Sequence, residues 1–179
     1  MKPVALAAAL LAVASPATHA ATITSAERTA ALRALDDEYH AYATYQAVID
    51  RFGAVRPFTN IQRAEARHAN ALIGYLQSHG IVAPANPYLT GAKPMPDAPA
   101  SLAEACAVGV QAEIANAGLY DDDLLPAARG DAELTRIFVA LRDASQQKHL
   151  PAFQRCGGGG QGGGHGKGMG QGKGWGRKG

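Results

Sequence analysis

Cysteine and tryptophan are scarce in this chain, with 2 Cys and 1 Trp among 179 residues. Two cysteines cannot staple a small fold, so the chain must bury an apolar core instead. Aromatic residues make up only 6%, and no stretch sustains the apolar/polar alternation of a half-buried strand. That leaves helices. Strong charge of either sign is also missing, since the formal net charge is +2. Most of the positive excess sits at the ends: Lys2 on one side, and Lys167, Lys173, Arg177 and Lys178 on the other. The stretch 21–156 between them carries 12 basic and 15 acidic side chains. A mildly acidic domain is a poor match for nucleic acid, and no nucleic-acid partner is expected.

A long apolar run is absent too. The longest uninterrupted one, Val4 to Ala14, has 11 residues, against the roughly 20 that cross a bilayer. With the basic start Met1-Lys2-Pro3 and the small-x-small ending Thr18-His19-Ala20, residues 1–20 read as a secretory signal peptide cleaved near Ala20. The expectation is export to the bacterial periplasm or the extracellular space, with no transmembrane segment in the mature protein. At the far end, 14 of the 21 glycines fall in 157–179. That basic tail has almost nothing to bury and is expected to be disordered. Its functional alternatives are ion scavenging by His165 and Met169, or contact of the lysines and Trp175 with an anionic envelope surface.

The middle, 21–156, divides into four helices. Thr24 and Glu27 form a capping box for a helix over about 25–52, stopped by Gly53. Pro57 and Thr59 open a second that runs to Gly80. Ser101 and Glu104 cap a third, reaching about Leu125 before Pro126 and Gly130. Asp131 caps a fourth that ends near Arg155. Short links between helices 1 and 2 and between 3 and 4 favour two antiparallel hairpins. The link 81–100 holds Pro84, Pro87, Pro94, Pro96 and Pro99, too long and stiff for a tight turn but able to run the length of a bundle. The expected fold is all-α, a ferritin-like four-helix bundle with a long crossover between helices 2 and 3.

Such bundles hold metal with one Glu from each of two helices and a Glu-x-x-His pair from each of the others, because residues three apart share a helix face. Glu65 and His68 make that pair on helix 2. Glu38 lies mid-helix 1, Glu113 mid-helix 3, and His149 is available on helix 4, although Gln146 stands where its partner Glu would be. An ionised Glu buried alone is too costly to keep, so each must be exposed, paired or bound to a cation. Tyr42 and Tyr45 follow Glu38 by four and seven residues, on the side expected to face the metal, while His40 and His79 are expected to face solvent.

Successive blocks of the chain resemble a ferritin-like family catalogued as domain of unknown function number 2202. The blocks are Glu38-Tyr39-His40-Ala41-Tyr42-Ala43-Thr44-Tyr45, Phe58-Thr59-Asn60-Ile61 leading into Glu65-Ala66-Arg67-His68, Ser101 to Ala105 with Val108-Gly109 and Glu113, and His149-Leu150-Pro151-Ala152-Phe153. The resemblance covers about 30–155 and implies a four-helix domain whose metal ligands are Glu38, Glu65, His68, Glu113 and His149. Ile114 and Asn116 stand where the family commonly has acidic residues, which removes negative charge from the site. With Gln146 also neutral, the three carboxylates suit one ion, or two held unequally. Carboxylate and imidazole together favour Fe, with Mn, Zn and Cu as alternatives. The implied activity is oxidation of Fe(II) or consumption of peroxide. A non-catalytic metal carrier and a metal-free bundle with an envelope-binding or structural role are the competing functions.

Cys106 precedes Glu113 by seven residues and Cys156 follows His149 by seven. In antiparallel helices both steps run about 10.5 Å toward the same end of the bundle and return to the interior face. A Cys106–Cys156 disulfide is therefore expected, with a thiol metal or redox site as the alternative.

Overall fold

The computed structural model describes residues 22–157, and it holds four helical segments and no strand among them. The export-signal reading of 1–20 and the tail reading of 158–179 fall outside the described residues. Helix α1 is Ser25–Phe52, opened by the reciprocal Thr24/Glu27 capping box and closed at Gly53, whose φ of 83° suits a residue without Cβ. Helix α2 is Phe58–Ser78. It stops two residues before Gly80 because that glycine, at φ 70°, turns the chain so that Ile81 N–H returns to Leu76 O at 2.9 Å.

Helix α3 starts at Leu102–Gly118, capped by the Ser101 hydroxyl on Glu104 N–H. It continues through a π-helical stretch, Leu119–Leu124, into a last turn, Leu125–Ala127. It ends at Ala127, two residues past the expected Leu125 and before Gly130. Leu125 N–H reaches back five residues to Tyr120 O, which resets the ladder and puts Pro126 in a first turn where no N–H is needed. Helix α4 is Ala132–Ala144, capped by Asp131, followed by a second π-helical stretch, Ser145–His149, and by Leu150–Gly157.

Two hairpins make the bundle. Tyr45 near the end of α1 meets Phe58 at the start of α2, ring centroids 6.1 Å apart. Ala31 and Leu35 near the start of α1 share a cluster with Leu72 and Leu76 near the end of α2. In the second hairpin Cys106 and Cys156 form a disulfide, Cα atoms 5.8 Å apart, and Tyr120 lies edge-on to Phe138. The link between the hairpins lies against α1. Tyr39 Oη donates to Pro84 O at 2.9 Å, Lys93 Nζ pairs with Asp36 at 2.7 Å, and Arg51 Nη1 donates to Ala98 O at 3.3 Å.

The core comes in two apolar clusters. One gathers Leu35, Leu72, Tyr75, Leu76, Tyr120, Leu124, Leu134 and Phe138; the other gathers Tyr45, Val48, Phe58, Ile61, Cys106 and Phe153. Along α1, Glu38 falls between Leu35 of the first and Tyr45 of the second. On α2, Glu65 falls between Ile61 and Leu72. A polar layer is thus enclosed between two apolar ones.

Candidate metal centre

That layer contains the most deeply buried carboxylates of the described residues and a buried imidazole. Glu38, Glu65, Glu113 and His149 are 3–5% exposed, and the His68 side chain is 16% exposed. The five side chains come from all four helices and form two triads that share Glu65. In one, His68 Nδ1 lies 2.9 Å from Glu65 Oε2 and 3.2 Å from Glu38 Oε2. In the other, His149 Nδ1 lies 3.2 Å from Glu65 Oε1 and 3.6 Å from Glu113 Oε2. Within each triad the nitrogen and two oxygens lie within 4.8 Å of one another. The two imidazoles stack with centroids 5.6 Å apart.

A ring of neutral donors holds the carboxylates from behind. Tyr45 Oη donates to Glu113 Oε1 at 2.8 Å, Tyr120 Oη donates to Glu38 Oε1 at 3.0 Å, and Ser145 Oγ donates to Glu113 Oε2. Among the described residues, no Lys or Arg pairs with Glu38, Glu65 or Glu113. Burial drives the Glu38 carboxyl well above its ordinary range, and the neighbouring Glu65 adds to that rise. Burial pushes Glu65 the same way, but hydrogen bonds from His149 and His68 overcome it and hold Glu65 ionised. Burial disfavours charge on the imidazoles too, yet their carboxylate partners raise His68 to about 10 and His149 to about 9. Without a metal, the cluster therefore neutralises itself with protons.

Not every expected neighbour takes part. Tyr45 does, through Glu113. Tyr42 is half-buried and lines no part of the cavity beside the cluster. Four residues advance a helix about 40° past a full turn, which carries Tyr42 away from the cavity wall formed by Ala41 and Thr44. Gln146 also lies off the site, its Nε2 3.4 Å from Asp121 Oδ2. The π-helical stretch is the reason: its wider turn brings Ser145, four before His149, onto the inner face in place of Gln146. Asn116 lines the cavity and donates to Asp37 Oδ2 at 2.6 Å. His40 is exposed as expected, whereas His79 is half-buried, its ring 4.5 Å from that of Tyr75.

Two participants escaped the sequence reading. Tyr120 follows Glu113 by seven residues, the same step that places Cys106, so spacing alone carried its signal. Ser145 had none, because a π-helical stretch leaves no mark in hydrophobic periodicity. Compared with known protein families, curated proteins and solved structures, the chain matches none.

Proposed function

We propose that this chain is an exported ferritin-like metal-binding protein of the family catalogued as domain of unknown function number 2202, with two divalent ions, iron foremost, held by Glu38, Glu65, His68, Glu113 and His149. The observation that carries this reading is the pair of triads sharing Glu65, one imidazole and two carboxylates each, set between two apolar clusters. Carboxylate and imidazole donors in that proportion suit Fe and Mn. Three buried carboxylates with no Lys or Arg partner among the described residues also fit a site made for cations. Bound iron supplies one-electron chemistry toward oxygen or peroxide.

The protein's own residues divide the remaining work. Glu65 spans both positions, one oxygen toward each triad. Tyr45, Tyr120 and Ser145 orient Glu113 and Glu38. The apolar clusters on either side shield the layer from solvent there, which strengthens the charge interactions in it. The long link between α2 and α3, lying along α1, is read as the crossover of a ferritin-like bundle.

Metal identity and stoichiometry, measured on protein from its native compartment, test the proposal. His68→Ala and His149→Ala are each expected to lose one ion, and Glu65→Ala both. Unchanged metal content in all three would remove the site. Fe(II) oxidation under oxygen and under peroxide then separates oxidase from carrier, because a rate no higher than the buffer control leaves storage or transport.

A further inference from the structure

The cluster is shut on most sides. Between α1 and α2 lie the two apolar clusters, and α3 and α4 are drawn together by the disulfide and by Phe153 packed over Gly109. Between α1 and α3 it is open. There the Glu/His layer forms the floor of a cavity of about 420 Å³, walled by Ala41 and Thr44 of α1 and by Val108, Ala112 and Ala115 of α3. Short side chains on two facing helices leave the space between them.

The space exceeds what ions or peroxide require. A water-sized species needs roughly 30 Å³, and an apolar cavity of about 150 Å³ is enough for benzene. Organic ligand sites begin at about 300 Å³. The cavity is on the scale of an organic molecule. Most of the lining surface is apolar, which favours an apolar body, while Thr44, Asp37 and Asn116 add polar groups. The floor carries Glu38, Glu65 and Glu113, whose carboxylate oxygens accept hydrogen bonds. Arg33 at the lining is already paired with Asp123 at 2.9 Å, and the His40 ring lies against Tyr88, centroids 5.6 Å apart. A hydroxyl, able to donate to a carboxylate oxygen, fits that floor better than a wholly apolar end does.

We propose that the cavity between α1 and α3 binds a small hydroxylated organic molecule with an apolar body, of about one aromatic ring, its hydroxyl toward the Glu/His layer. What the site does with that molecule rests on the metal-centre reading; that it binds there rests on the cavity alone. The probes are phenol and toluene, titrated calorimetrically into the full chain, in chelator and after loading with Mn²⁺. Phenol is expected to saturate one site, and toluene, which has no hydroxyl to donate, to bind about fivefold to tenfold more weakly. Ala41→Phe and Ala112→Phe narrow the cavity from opposite walls and are expected to weaken phenol by about tenfold or more. Their metal stoichiometry and unfolding midpoint should stay those of the parent. Two variants on separate helices keep the test readable should one misfold. Absence of phenol saturation, equal binding of toluene, or undiminished phenol binding in the folded wall variants would overturn the proposal. Phenol binding without metal uptake sinks the metal centre and leaves the cavity site standing; metal uptake without phenol binding does the reverse.

Discussion

Tyr45 and Glu113 are 68 residues apart in the chain, yet the Tyr45 hydroxyl donates to Glu113 Oε1 at 2.8 Å inside the bundle. Burial, followed by the nearby Glu113 charge, holds this phenol well above its ordinary pKa, so it remains a donor throughout the working range. Tyr120 is held up the same way by burial and then by Glu38, the carboxylate to which it donates. Each triad therefore has one tyrosine behind one of its outer carboxylates.

Tyr45→Phe and Tyr120→Phe each leave a buried carboxylate oxygen short of a partner. We expect each to lower unfolding free energy by about 1–3 kcal/mol in the metal-free protein. The loss should shrink when metal is bound, because the ion takes over part of the missing interaction. Urea midpoints with chelator and with Mn²⁺ measure both effects, and an equal loss in the two conditions would separate the tyrosines from the metal site.

The protonated state of the metal-free cluster gives a pH dependence of defined sign. His68 and His149 are raised from 6.5 to about 10 and about 9. Their stabilisation is complete below pH 6.5 and is lost as pH rises through those folded values. Glu38, also raised, works in the same direction. Glu65 is lowered, so its contribution is present above its ordinary value of 4.5 and falls away in acid. Unfolding midpoints in chelator should therefore decline from pH 7 to pH 10. Metal must displace those protons, so affinity for Mn²⁺ should rise over the same interval, with proton release visible in buffers of differing ionisation enthalpy.

The Cys106–Cys156 disulfide closes a separation of 50 residues, for which chain entropy gives about 4 kcal/mol. Replacing both cysteines with alanine is expected to lower the unfolding free energy by about that amount. His149, seven residues from Cys156, should then hold metal less tightly. Intact mass with and without reductant checks the bridge itself, and two free thiols in the oxidised sample would contradict it.

Gly109 offers a test in which two effects oppose each other. Helix propensity alone says that Gly→Ala should stabilise by about 1 kcal/mol. A Cβ on Gly109 would instead lie 2.6 Å from the Phe153 ring, which is fully buried and wedged between Tyr45 and Phe58, centroids 5.3 Å from each. Overpacking of this kind costs about 1–3 kcal/mol, so Gly109→Ala should lower the melting temperature. An increase would mean that α3 and α4 have slack at this crossing.

Much was legible in the chain before any coordinates. Thr24 with Glu27, Ser101 and Asp131 mark three helix starts, because a short polar side chain satisfies N–H groups that the helix itself leaves open, a strictly local effect. The seven-residue steps from Glu113 to Cys106 and from His149 to Cys156 placed the disulfide, because seven residues are nearly two helical turns. Those are one-dimensional regularities, and one dimension suffices to read them.

Only the tertiary structure decided what faces what. That Glu65 offers one oxygen to each histidine, that Tyr120 and Tyr45 take different carboxylates, and that Ser145 displaces Gln146 all depend on how four helices rotate against one another. Two π-helical stretches, Leu119–Leu124 and Ser145–His149, alter that rotation, because their wider turns shift every residue that follows. The cavity between α1 and α3 is the clearest case. Alanine at 41, 112 and 115 is unremarkable in any helix, and becomes a binding space only when two such faces meet above a layer of charge.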